Sequence, residues 1–430
     1  MAPCREPSPP NPGWWPCYDY KDLMEMISRV IRKRKPDCDI VFWSYNWNRV
    51  DAKYRKALID TLPKDITLQA TFEMGTIVER DGFLNRTADY TLFFPGPGPY
   101  FNTEGQFAKE NGLRFYSMTN TGGLTWDIGV IPYEPAPYQW IKRYEGMIDA
   151  HERLGLCGTM DSHHFGFNPS FISDLAKWAF HYPRVDLDKK LHEIMARDFS
   201  EDAADKVCDA LKLWSEGIHH MISTNQDQYG PCRMGPAYPF ILYENRDLKI
   251  PTVGYAHFGG NTICHAEYGT NGGRIRPGMI DTEENKRRFD YETEGFRIAK
   301  EKFDQGAAII EAEISRIPQR KREGAMRILG VGKFIARTAE TAYNVREFLK
   351  LKLILPETAG EERNKTVDLM LDICKKEAEN ARSTIPLVEF DSRLGYEPSM
   401  EYMCDREHIE WKLKLLSEVM EKELPSYYTK

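Results

Sequence analysis

Four short apolar segments, Cys38–Tyr45, Ile66–Glu73, Leu113–Asn120 and Leu156–His163, run into polar or aromatic residues and are separated by stretches with helical spacing. Alternation of this kind predicts parallel strands joined by helices, with the core supplied by the strands and the chemistry by their C-terminal ends. A closed (β/α)8 barrel needs twice as many strands. The expected fold class is therefore α/β: a partial (β/α) barrel of about four βα units, resembling the second half of a TIM barrel. A mostly α-helical domain is expected to follow it.

Residues 1–18 carry Pro at 3, 7, 9, 10, 12 and 16, too many for helix or central strand. A helix is expected next, with Asp19 at its cap and Tyr20, Leu23, Met24, Ile27, Val30 and Ile31 on one face. The expected strands are 39–43, 66–72, 113–118 and 156–160. Helices are expected near 52–62, 103–111 and 138–154, and Pro169 is expected to open one over 170–180. From about Val185 the texture becomes helical, with long helices predicted over 293–317, 319–353, 361–384 and 405–423. Residues 224–285 read as a loop-rich insert. The predicted organisation is a Pro-rich segment (1–18), a (β/α) segment (19–184) and a helical domain (185–430).

Composition narrows the functional classes. Hydrophobic residues make up 41% and charged residues 29%, as in a globular protein. The net charge of -7 argues against a nucleic-acid partner. No run reaches the ~20 apolar residues of a membrane helix, and the N-terminus lacks the charged and apolar regions of a signal peptide. A cytoplasmic location is the expectation for the chain as it stands. Nine Cys without pairing rhythm are expected to be mostly reduced and buried. Cys4 and Cys17, which flank Trp14 and Trp15, are the exceptions to weigh. There is no GxGxxG, Walker A or GxSxG pattern, which weakens nucleotide, phosphate and serine-hydrolase readings.

The strand ends carry the candidate chemistry. Glu73 closes the second strand, where a buried carboxyl with a raised pKa can act as general acid. Asp127 follows a Gly-Gly turn and Trp126, a pair suited to hydroxyl hydrogen bonds and sugar stacking. Asn120 lies in the same segment. Asp161 and His163 alternate at the end of the fourth strand and share a side, with His164 opposite. Trp43, Tyr45 and Trp47 alternate past the first strand and read as a sugar-stacking wall. Each has a plainer reading: strand-end capping for Glu73, a turn bond for Asp127, core filling for the aromatics. Asp161, His163 and His164 could also be metal ligands, but no HExxH or matching spacing accompanies them, and neither metal nor cofactor is expected. Cys264-His265-Ala266-Glu267 is too short a signal for one.

Lys177-Trp178-Ala179-Phe180-His181-Tyr182-Pro183-Arg184-Val185-Asp186-Leu187-Asp188, followed by Arg197-Asp198-Phe199, resembles the junction between barrel and helical domain in large bacterial glycoside hydrolases. The similar families are the α-glucuronidases and the β-N-acetylhexosaminidase-like proteins. The resemblance covers the order of elements over residues 20–215. It implies a (β/α)8 barrel and a pair of carboxylates acting across a glycosidic bond. The hexosaminidase-like members hold their acid after the fourth strand, and the strands here resemble the fifth to eighth. Glu73, Asp127 and Asp161 would then match acidic positions of the second half.

Three expectations follow. The leading one is a glycosidase with Glu73 as acid and Asp127 or Asp161 as base or stabiliser. Retaining chemistry needs carboxylates roughly 5–5.5 Å apart and inverting chemistry roughly 6.5–9.5 Å. The second is a non-catalytic carbohydrate-binding protein, or an inactive fragment lacking the general acid. The third is a metal-dependent hydrolase. An open half-barrel also leaves strand edges exposed, so closure by a second copy, cover by the helical domain, or instability as a truncated product is expected.

Overall fold

The computed structural model describes residues 20–45, 47, 50–87, 90–119, 127–161, 168–222, 230–243, 248–251, 269–270, 273–274, 282–397 and 401–429. The first helix, α1 (Tyr20–Arg32), leads to strand β1 (Val41–Trp43). Then come α2 (Ala52–Thr61), β2 (Thr67–Thr71), a hairpin of β3 (Ile77–Arg80) and β4 (Phe83–Arg86), α3 (Pro99–Glu110) and β5 (Arg114–Met118). Helix α4 (Pro137–Leu154) and strand β6 (Leu156–Met160) complete the run. The strands pair in the order β1-β2-β5-β6, all parallel. Sequential order means that each helix returns the chain to the next position in the sheet, as in a barrel wall. Among the described residues the sheet has four strands and β1 and β6 do not pair with each other, so a closed barrel is not seen.

The two faces of the sheet differ. Leu68, Ala70, Phe72, Phe42 and Phe115 pack with Leu58, Ile59, Phe101, Met147 and Leu154 of α2–α4. That layer closes the core, as a parallel sheet requires. The opposite face is polar along β2, with Thr67, Gln69 and Thr71 all buried. At its lower end Asp39 Oδ1 accepts from Thr67 Oγ1 at 2.8 Å and pairs with Arg114 at 2.5 Å. Its Oδ2 accepts from the Tyr116 hydroxyl at 3.1 Å.

The chain continues with α5 (Phe171–Ala179), α6 (Leu187–Asp198), α7 (Glu201–His220) and a short α8 (Pro231–Met234). Pro169 precedes the Ser170 N-cap of α5 and does not open the helix. Three long helices, α9 (Glu283–Ile314), α10 (Gln319–Ile354) and α11 (Gly360–Phe390), follow, and α12 (Arg406–Glu418) packs beside α11. The first of these starts earlier than its apolar spacing suggests, because Thr282 caps it by accepting from Asn285 N. Helix α11 runs through Pro386 instead of stopping at Thr384. Trp214 of α7 is the hub of this body, and it donates to Phe303 O at 3.0 Å. Gly306 and Gly332 face it; a Cβ on Gly332 would lie 2.1 Å from the indole, so only glycine lets α10 approach. Packing crosses the expected boundary at 184. Trp140, Ile141 and Tyr144 of α4 belong to the helical core, whereas Met147, Ala150 and Leu154 belong to the sheet core.

Candidate active site at the strand ends

The loop after β2 explains how Glu73 is held. In the turn Pro95-Gly96-Pro97-Gly98-Pro99, Gly98 N donates to Phe72 O at 2.7 Å. A Cβ on Gly98 would sit 2.5 Å from Met74 O and 2.6 Å from Glu73 O, so the turn can lie against the strand end only with glycine there. This brings Pro95 O within 2.9 Å of Arg143 Nε. The same guanidinium donates to Thr119 O at 3.1 Å and to Thr91 O at 2.5 Å, and pairs with Glu73 Oε2 at 3.5 Å. Arg143 is fully buried, and a buried cation is tolerable only with partners of this number and kind. Glu73 Oε1 accepts from Thr91 N at 3.3 Å, while Oε2 has the ion pair and no hydrogen-bond donor.

One residue further along the same loop, Leu92 N donates to Asp127 Oδ2 at 2.6 Å. Gln139 of α4 holds Leu92 O at 2.8 Å. Asp127 interacts with Glu134, and both are buried. Asp127 Oδ1 and both Glu134 carboxyl oxygens have no hydrogen-bond partner of good geometry. Burial pushes Asp127 up to about 7, against the hydrogen bonds from Thr91 and Leu92. Burial and then the Asp127 charge push Glu134 well above the carboxylate range. Two acids in this position cannot both ionise, and the pair keeps at least one proton at neutral pH.

Asp161 has a different setting. It lies exposed at the end of β6. Its Oδ1 accepts from Thr119 Oγ1 at 2.8 Å and from Thr159 Oγ1 at 3.0 Å. Thr119 therefore links the outer carboxylate, through its own carbonyl, to Arg143 and Glu73.

The strand ends thus bring Glu73, Asp127 and Asp161 onto one hydrogen-bonded framework, with only Asp161 open to solvent. Trp43 and Tyr45 lie beside each other at 4.8 Å, and Tyr45 reaches Tyr90 at 5.9 Å. Trp47 does not join them. It is buried against Tyr20 and Phe42 on the helix side of the sheet, because the strand ends at Trp43 and strict alternation ends with it. Asn120, Trp126, His163 and His164 lie outside the described residues, as do Cys4, Cys17, Cys264 and His265. Among the described residues no cluster of three or more His, Cys, Asp or Glu could hold a metal.

Sequence reasoning missed Arg143 and Glu134. A signal existed for Arg143: it shares the buried stripe of α4 with Gln139, Trp140, Met147, Ala150 and Leu154, and a cation on an apolar stripe needs an acid to face it. Glu134 stands among prolines before α4 and offers no local pattern.

No family model and no curated relative matches the chain. Among solved structures it is similar to a GH138 enzyme targeting pectin rhamnogalacturonan II, with a TM-score of 0.50 and 11% identity. The match covers 92% of this chain and 47% of that one, so the chain spans about half the length of its structural neighbour. At this identity the likeness is one of fold alone, and no family is shown by it.

Proposed function

We propose that the chain is a glycoside hydrolase-like protein that takes a carbohydrate at the C-terminal ends of its strands. The observation that carries this reading is the Glu73–Arg143–Thr119–Asp161 framework, which connects a solvent-facing carboxylate to buried acids at the end where (β/α) folds place their chemistry. Asp161 is the group that meets substrate, as base or charge stabiliser. Asp127 with Glu134 is the site's proton reserve, since burial keeps a proton there at neutral pH. Glu73 holds Arg143 and the Thr91 segment, and its earlier assignment as general acid passes to the Asp127–Glu134 pair. Trp43 and Tyr45 offer ring faces beside the site.

A second reading has its own support. Glu73, Asp127 and Glu134 are 1%, 2% and 0% exposed, which favours a protein that binds sugar without cleaving it. Hydrolysis of a panel of aryl-glycosides separates the two. Turnover that vanishes in Asp161→Asn, with the circular dichroism spectrum intact, supports the enzyme. Calorimetric sugar binding without turnover supports the binding protein. Neither turnover nor binding would overturn both.

A further inference from the structure

Away from the strand ends, a cavity of about 430 Å³ opens between α5, α6 and α10. Its walls carry Arg197, Arg320, Lys321, Arg327 and Arg393 against two acids, Asp174 and Asp198. Both acids are already paired: Arg197 meets Asp174 at 2.8 Å and Asp198 at 2.7 Å, and Lys177 takes the other oxygen of Asp174 at 2.9 Å. Behind the wall, Asp391 holds Arg393 at 2.7 Å and reaches Arg327 at 3.3 Å, and Glu323 takes Arg327 at 3.0 Å. Arg320 and Lys321 have no acidic partner among the described residues, and Lys321 donates only to Ala196 O at 3.2 Å. The apolar lining includes Tyr133 and Phe171, whose rings meet edge to face at 5.6 Å, with Pro169 and Ile328.

Cations gathered in a concave site, with some left uncompensated, concentrate anions there. Guanidinium groups clamped by carboxylates behind them are held in place and present their remaining N–H donors forward. The volume suits a molecule of sugar size. We propose that this cavity binds a small oxyanion-bearing ligand, a carboxylate or a phosphate, with the charge between Arg320 and Lys321 and the body of the ligand against Tyr133. The site does not depend on the strand-end chemistry, so either can fail without the other.

Calorimetry on the full chain tests it with glucuronate, inorganic phosphate and glucose as probes. One of the two anions is expected to bind with unit stoichiometry, and which one does identifies the oxyanion. Glucose is expected to give no heat. Arg320→Glu with Lys321→Glu should weaken anion binding at least tenfold, as should raising the salt to about 0.5 M. Both side chains reach the surface on the first turn of α10; should the double variant fail to fold, Arg320→Gln alone carries the test. Lys365→Glu, on α11 and outside the cavity, should leave binding unchanged. The proposal is overturned by millimolar anions that give no heat, by glucose binding as tightly as glucuronate, or by equal affinity in the charge-reversed variant.

Discussion

Two buried ionic clusters in this molecule are built to different standards. In the helical body, Glu377 of α11 accepts from Thr341 at 2.7 Å with one oxygen and from Asn344 at 2.8 Å with the other. Lys412 of α12 donates to Glu377 and, at 2.6 Å, to Pro236 O. Every charge there has a donor or acceptor of the right kind, and only Asn380 Oδ1 goes without. At the strand ends, Glu73 Oε2 has no donor, and Asp127 Oδ1 and the Glu134 carboxyl have only the proton of their own pair, although Arg143 is as deeply buried as Lys412. A satisfied network ties helices together; an unsatisfied one stores electrostatic cost, and such cost concentrates where function needs it. The difference teaches that burial alone does not say whether an ionic cluster is satisfied; the donors around each oxygen decide it.

The largest expected effect tests the satisfied side. Lys412→Ala or Glu377→Ala leaves a lone charge in the helical core and should cost about 3–5 kcal/mol in denaturant unfolding. A loss below about 1 kcal/mol would remove the contrast. Arg143→Ala should cost about as much, because it orphans Glu73 and three carbonyls together.

Next is the pH dependence of the unsatisfied side. The folded value of Asp127, about 7, lies above its ordinary 3.8, so the folded state holds the proton more tightly than the unfolded chain. Its contribution to stability is fully present below pH 4 and is lost as the pH rises through 7. The loss amounts to at most ~4 kcal/mol. Asp127→Asn should flatten that segment of the stability curve; an unchanged slope would assign it to other groups.

A smaller effect sets the two clusters against each other by sign. Glu134→Gln at pH 8 should stabilise by about 1–3 kcal/mol, since it removes a buried acid that competes with Asp127 for one proton. Glu377→Gln should destabilise. If both variants move the same way, the comparison fails. Least of all, Asp161→Asn should change stability by less than about 0.5 kcal/mol, because the group is exposed. Its whole consequence should appear in turnover or sugar affinity.

Much of the architecture was legible in the residues. The strand over 156–160, the helix from Ala52 and the long helix from Gln319 stand where spacing and end signals put them. The β3–β4 hairpin was not read, because Ile77–Arg80 and Phe83–Arg86 are short and half polar. The hairpin is held by distant partners: Phe83 stacks on Tyr291 at 4.7 Å and Arg288 donates to Leu84 O at 3.0 Å. Of the site, Glu73, Asp127 and Asp161 could be named from their places at strand ends, but their burial could not. Trp47 looked like Trp43 in the alternation and lies on the other side of the sheet, where Tyr20 receives it.

By itself the sequence determined the local order: which segments are strands, which are helices, and which polar residues stand where strands end. Those properties follow from periodicity and capping over a few neighbouring residues. Only the tertiary structure decided that the four described strands pair in sequential order, that Arg143 meets Glu73, that Asp127 must share its surroundings with Glu134, and that five cations line one cavity. Each is a contact between residues distant in the chain. Its energy depends on burial and on which partners remain unmet, and no local pattern records either.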